Sequence, residues 1–141
     1  MFACMKDPFS AVSHLAGALA AALGLTILVT LAALYASAWH VVSFSVYGAA
    51  MVLLYTSSGL YHSLRLSERG TRIMRRLDHV MIFLLIAGTY TPLCLVPLRG
   101  AWGWSLFGAV WGVALLGILM KLFWLEAPRW LSTAVYLLLG W

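Results

Sequence analysis

The chain alternates between long apolar segments and short polar gaps. Gly, Pro, Ser and charged residues fill the gaps, at 37–40, 65–76, 99–100 and 126–129. The five apolar segments cover residues 10–35, 41–63, 77–98, 104–124 and 130 onward. A transmembrane α-helix needs about 20 predominantly apolar residues, and the first four segments meet that length. The pattern therefore predicts an all-α fold, a polytopic transmembrane helix bundle.

The fifth apolar segment ends differently from the others. It begins near Trp130 and is still apolar at Trp141, with no charge or helix cap after Tyr136. It supplies only about a dozen of the roughly 20 residues that a crossing requires. We therefore expect residues 1–141 to form a single transmembrane domain with about five spans of a larger bundle.

Composition supports a membrane location. Hydrophobic residues make up 64% of the 141 residues, charged residues only 9%, and the mean hydropathy is +0.97. A soluble domain averages about 25% charged residues. The net charge of +5 does not indicate nucleic acid, because the Arg residues lie between apolar segments, where membrane orientation explains them. We predict membrane lipids as partners and no nucleic acid, and the oligomeric state stays open.

Lys and Arg residues are distributed unevenly between the two sides of the predicted bundle. With the N-terminus inside the cell, only Arg99 lies outside. The other eight lie on the cytoplasmic side: Lys6, Arg65, Arg69, Arg72, Arg75, Arg76, Lys121 and Arg129. This positive-inside bias predicts a multi-pass protein of the inner (plasma) membrane with a cytoplasmic N-terminus. Cleavage of the first segment as a signal peptide at 36–38 is disfavoured by its long apolar core.

Several polar side chains fall at one predicted membrane face. Ser58 and His62 close the second apolar segment, and Asp78 and His79 open the third after an Arg-rich loop. Three more polar residues share one helical face at the start of the first segment, namely Asp7, Ser10 and His14. Ionisable groups at membrane helix ends that face the bundle interior are candidate functional residues.

The residue types suggest zinc chemistry. A neutral imidazole is the commonest metal ligand, which makes His62 a candidate ligand. Asp78 can accept a proton from water, and Ser58, one turn before the histidine, can donate a hydrogen bond to a developing oxyanion. The donor set is short, because a catalytic zinc needs about three protein ligands and the sequence has no HxxxH or HExxH motif. Cys4 and Cys94 lie far apart, and we predict no disulfide and no CxxC-type site.

Each candidate also has a structural interpretation. The histidines could reach toward lipid headgroups, Asp78 could cap a helix that begins there, and Ser58 could bond to its own helix backbone. The pattern of Gly108 and Gly112, a GxxxG, is more typical of close helix packing than of chemistry. The residues alone leave these alternatives open beside a metal site.

Three motifs follow one another along the chain: Ser58-Gly-Leu-Tyr-His62, Arg76-Leu-Asp78-His79 and Ala87-Gly-Thr-Tyr-Thr-Pro92. Together they resemble the signature of the hemolysin III family, the bacterial branch of the progestin and adiponectin receptor family. The segment from Asp7 to His14 is similar to that family's first-helix motif. It departs from the motif in having Asp7 where Glu is common and Ser10 where Asn is common.

The resemblance implies a seven-helix membrane protein with its N-terminus inside, of which this chain would be the N-terminal part. It also implies Zn²⁺ near the cytoplasmic face, as in the alkaline ceramidases of the wider superfamily. His62 would be a zinc ligand, Asp78 would hold the water on the zinc, and Ser58 would support that water by hydrogen bonding. The remaining ligands would be two histidines of an HxxxH motif on a seventh helix, beyond residue 141. We therefore expect this chain alone to bind zinc weakly at best.

Several functions fit these expectations. We favour a zinc-dependent hydrolase that acts on a membrane lipid amide or ester. A pore-forming cytolysin is the alternative that the family name suggests, although the apolar segments have few polar residues at mid-membrane depth to line a pore. A receptor or scaffold with structural zinc is a further alternative. A helix-bound haem is more distant, because three of the four histidines lie at cytoplasmic helix ends.

Overall fold

The computed structural model describes residues 6–140, which form five α-helices and no β-strand. The helices are α1 (Pro8–Tyr35), α2 (Ala38–Ser63), α3 (Glu68–Leu95), α4 (Ala101–Phe123) and α5 (Arg129–Gly140). Helices α1 to α4 are long and apolar enough to cross a membrane, whereas α5 is shorter. The predicted all-α transmembrane architecture is confirmed, and apart from the start of α3 the predicted boundaries agree to within three residues.

Consecutive helices pack side by side. The first four helices each contact the next, and α5 contacts both α3 and α4. Because the connections are short, neighbouring helices run antiparallel. The starts of α1, α3 and α5 therefore lie at the same end of the bundle as the ends of α2 and α4. We call this end the basic face, since it carries the Lys and Arg residues that flank these helix termini.

The Arg-rich segment before Asp78 is helical, so the prediction of a loop there was wrong. α3 begins at Glu68, which places all but the first of the Arg residues in this segment on the helix. The Ser67 hydroxyl caps the helix by accepting a hydrogen bond from the Gly70 N–H at 3.3 Å, and Glu68 lies in the first turn. An acceptor and a negative charge at these positions stabilise a helix start. The charges resembled a loop signal, but Arg is a good helix former.

Helices α3 and α4 meet where an aromatic ring lies against helix backbone. Phe83 is fully buried in a core cluster with Ala87, Val110, Ala114 and Leu139. A Cβ at Gly117 would clash with the Phe83 ring, so only glycine leaves room for it.

The GxxxG glycines have no comparable role. A Cβ at Gly108 or Gly112 would meet nothing within 4 Å in the part of the chain that the structure describes. The expected packing of this pair is therefore not seen within that part.

Gly117→Ala is expected to lower the thermal unfolding midpoint of the detergent-solubilised protein. Overpacking a filled core costs about 1–3 kcal/mol, which exceeds the roughly 1 kcal/mol that Ala gains over Gly in a helix. Gly108→Ala is the matched control on the same helix, and its midpoint should stay level or rise because its added methyl meets no neighbour. Unfolding of both variants would be followed by circular dichroism. Equal midpoints would contradict this account of the α3–α4 contact.

Candidate functional site

A cavity of about 330 Å³ opens at the basic face between α1, α2 and α3. Its polar lining consists of His14, Ser58, His62 and Asp78. The rest of the lining consists of Leu54, Tyr55 and Ile82. The three site residues expected from the sequence, Ser58, His62 and Asp78, thus line one cavity. Their catalytic and metal-binding roles stay predictions.

His62 is held by the segment that precedes α1. Its Nδ1 lies 3.0 Å from Oδ2 of Asp7, and the Asp7 backbone N–H donates to the His62 carbonyl at 3.0 Å. Lys6 adds a third contact, with Nζ 3.9 Å from the ring centroid of Tyr61. Because a carboxylate can only accept, Nδ1 carries the proton, and Nε2 remains as the second ring nitrogen. The side chains of His62 and Asp7 are 23% and 50% exposed, so the ion pair itself contributes little stability.

A second polar pair joins α1 to α2. His14 Nδ1 and Ser58 Oγ share a hydrogen bond of 2.7 Å. In the structural interpretation Ser58 bonds to its own helix backbone, but the structure shows this contact between two helices instead. Gly59 allows the close approach, because a Cβ there would lie 2.8 Å from a methyl group of Leu15. The His14 and His62 rings then meet edge to face, with centroids 5.7 Å apart.

Asp78 enters the cavity from the third helix. It lies eleven residues into α3, so the alternative in which it caps a helix start was wrong. Asp78 is partly buried, and its carboxylate has no hydrogen bond or ion pair within residues 6–140. The neighbouring His79 lines a different cavity, and its Nδ1–H donates to the Arg75 carbonyl at 2.7 Å. Two consecutive residues of α3, Asp78 and His79, therefore line two separate polar cavities.

The donor chemistry of the first cavity fits part of a zinc site. An imidazole whose Nδ1–H donates to a carboxylate presents Nε2 to a metal, which is the usual support for a zinc-binding histidine. His62 and Asp7 have this arrangement, and Asp78 adds a carboxylate in the same cavity. Among the described residues, however, no group of three His, Cys, Asp or Glu side chains could hold a metal ion. Cys94 is a buried free thiol on α3, and Cys4 lies outside the described residues.

Two contacts in the candidate site were not predicted. The sequence pattern placed Asp7 and His14 on one face of the first helix, but it did not pair Asp7 with His62 or His14 with Ser58. Depth in the membrane could have revealed the second pair. His14 lies six residues after the start of α1, and Ser58 lies five residues before the end of α2. Residues at equal depth on antiparallel neighbours come into contact when both lie on the faces that meet.

Four helices that are long and apolar enough to cross a membrane indicate a polytopic α-helical membrane protein, and the histidine and carboxylate cavity lies at one end of its bundle. The family model described as haemolysin-III related matches residues 2–141. The chain therefore belongs to the hemolysin III family.

Two curated relatives extend this finding. The chain is 43% identical over 141 residues to the hemolysin-3 homolog of Bacillus subtilis (strain 168), an alignment that covers 100% of this chain and 66% of the relative. It is 41% identical over 132 residues to hemolysin-3 of Bacillus cereus, which covers 94% of this chain and 60% of the relative. The chain thus spans less than two thirds of either relative's length. No solved structure gives a significant match.

Proposed function

We propose that this protein is a zinc-dependent hydrolase that cleaves an amide or ester bond of a membrane lipid. We further propose that it lies in the inner (plasma) membrane with the N-terminus and the basic face in the cytoplasm. The observation that carries the proposal is the convergence of His62, Asp78 and Ser58 on one cavity at a membrane helix end. A lipid bond near the headgroup region would reach such a cavity without leaving the bilayer.

In this proposal Nε2 of His62 would hold zinc, and Asp7 fixes the orientation of the ring through Nδ1, on the opposite side. When bound, zinc lowers the pKa of water and polarises a carbonyl group. The described residues supply one imidazole ligand. Both relatives have further sequence that the alignment with this chain does not cover. We propose that a segment equivalent to that sequence supplies the further ligands.

Asp78 and Ser58 have separate roles in the proposed reaction. The Asp78 carboxylate accepts the proton of the attacking water and returns it to the leaving amine or alcohol as the bond breaks. The Ser58 hydroxyl stands beside the carbonyl oxygen, and the hydrogen bond to His14 fixes its position. A positioned hydroxyl stabilises the negative charge that develops on that oxygen.

Metal removal tests the proposal directly. The purified full-length gene product would be assayed for fatty-acid release from N-acyl lipids and from phospholipids in mixed micelles. We expect turnover of at least one class, loss of turnover after chelation, and recovery when stoichiometric zinc is added back. Bound zinc without turnover of either class would favour a receptor or scaffold, and turnover that survives chelation would contradict zinc dependence.

Pore formation is the second candidate, because both relatives carry the name hemolysin-3. The apolar spans provide little polar lining for a pore within one subunit. Conductance of the purified protein in planar bilayers is the measurement that separates the two functions. Single-channel steps that persist after chelation, with no lipid turnover, would favour the pore.

A further inference from the structure

A second polar cavity lies at the basic face, on the other side of α3. It measures about 480 Å³ and opens between the start of α5, the end of α4 and the basic first turns of α3. Its polar lining consists chiefly of basic and hydroxyl side chains: Arg75, His79, Lys121, Ser132, Thr133 and Tyr136. None of these residues belongs to the proposed hydrolytic site.

Lys121 is the unusual member of this lining. A lysine near the end of a membrane helix ordinarily extends its ammonium group to water. Lys121 instead turns inward and is only 3% exposed, and its Nζ donates to Ser132 Oγ at 2.6 Å. Ser132 is itself buried at the start of α5. An ammonium group has three donors, and the hydrogen bond to Ser132 uses one of them.

The charges around Lys121 do not balance. Within residues 6–140, no carboxylate lies within ion-pair distance of its Nζ. Glu126 is the acidic residue in the cavity wall, but its side chain is 74% exposed and lies 3.7 Å from Arg75. Burying an ammonium group without a counter-charge is costly. In the lining that the structure describes, Arg75 and Lys121 outnumber Glu126, so the cavity carries an excess positive charge and open donors, which an anion would complete.

The cavity also lies at the depth of lipid headgroups. Trp124 and Trp130 flank the α4–α5 turn, and both are well exposed. Exposed tryptophans at helix ends mark the interface between the hydrocarbon core and water. Basic pockets between membrane helices at this depth bind the headgroups of anionic lipids.

We propose that this cavity binds a phosphoryl group, with Lys121 and Arg75 as cationic donors and the Ser132 hydroxyl orienting Lys121. The phosphoryl group can belong to an anionic phospholipid or to free phosphate, and the membrane depth favours the lipid. The proposal is independent of the hydrolytic function. It assigns α5 a role, because Ser132 on α5 and Lys121 on α4 complete the site together.

Ligand-dependent thermal unfolding of the full-length protein in neutral detergent tests the site. The probes are phosphatidylglycerol, zwitterionic phosphatidylcholine, and sodium phosphate against sodium chloride at equal ionic strength. We expect phosphatidylglycerol to raise the midpoint saturably and phosphatidylcholine to have little effect. A saturable rise with sodium phosphate alone would identify free phosphate as the ligand. Equal effects of phosphatidylglycerol and phosphatidylcholine, with none from sodium phosphate, would overturn the proposal.

Variants locate the binding. Lys121→Met should raise the dissociation constant for the stabilising probe about tenfold to a hundredfold, as expected for loss of a charge-assisted hydrogen bond. Arg99→Met is the matched control, because it removes one positive charge at the opposite face, where Arg99 lies over Trp39. It should bind the probe as the unmodified protein does.

Ser132→Ala covers the case in which Lys121→Met fails to fold. It keeps the charge and removes the hydroxyl that positions it, and it should weaken binding roughly two- to tenfold. Unchanged binding in Ser132→Ala, together with unchanged binding in a folded Lys121→Met, would place the phosphoryl group elsewhere.

Discussion

Asp78→Asn is expected to reduce lipid hydrolysis by about a hundredfold or more while leaving the helix bundle folded. General acid–base groups contribute about 10²–10⁴ to rate, and an amide cannot accept the proton that a carboxylate accepts. Asn has nearly the same shape as Asp. Because the Asp78 carboxylate has no hydrogen bond or ion pair within residues 6–140, its replacement breaks neither kind of contact between described residues. The measurement is the initial rate of fatty-acid release at saturating lipid.

A carboxylate on the same helix provides the control for this variant. Glu68 lies ten residues before Asp78, in the exposed first turn of α3. Glu68→Gln therefore removes one negative charge from the same helix without touching the cavity, and it should keep the original rate. A rate within about twofold of the original for Asp78→Asn would exclude Asp78 as the proton acceptor. Unfolding midpoints of both variants separate a chemical effect from a folding defect.

The lengths of the apolar segments predicted the helices well, because membrane helices must satisfy their backbone hydrogen bonds internally and so follow hydrophobic length closely. The start of α3 was predicted wrongly for a related reason. Hydropathy marks where a helix enters the membrane, and the polar turns from Glu68 to Arg76 extend the same helix beyond that point. The Ser67 cap, followed by Glu68, was the available signal for the true start.

The site was predicted less completely than the fold. Ser58, His62 and Asp78 could be singled out because ionisable groups that face the interior of a membrane bundle are rare. Their partners depend on which helices touch and at which depth, and no local pattern encodes that. Gly59 was not recognised as the residue that lets α1 approach α2 beside Ser58. Gly108 and Gly112, by contrast, matched a packing motif and have no such contact among the described residues.

The same limit explains why Lys121 was counted only as a topogenic charge. Its position two residues before the end of α4 is where a lysine usually reaches water. Only the contact with α5 reveals that it is buried against Ser132. A charge count along the sequence therefore assigns a residue to a membrane side, but it does not distinguish an exposed cation from a buried one.

His62→Ala is expected to abolish stoichiometric zinc binding by the full-length gene product. Removing one of about three protein ligands leaves too few donors for a stable site. Metal content per chain, measured by elemental analysis after dialysis, should fall from about one zinc to near zero. His40→Ala is the matched control, because His40 bonds to Ser37 at the opposite end of the bundle, and it should keep its zinc.

Asp7→Asn distinguishes a metal ligand from its support. The backbone contact between Asp7 and the His62 carbonyl does not require the carboxylate, so the segment before α1 should stay docked on α2. Loss of a supporting carboxylate lowers metal affinity about 10- to 100-fold rather than abolishing it. Zinc competition with a chromophoric chelator should therefore rank the variants, with Asp7→Asn between the unmodified protein and His62→Ala. Full zinc retention in His62→Ala would show that the ion, and with it the proposed hydrolytic chemistry, belongs to another part of the protein.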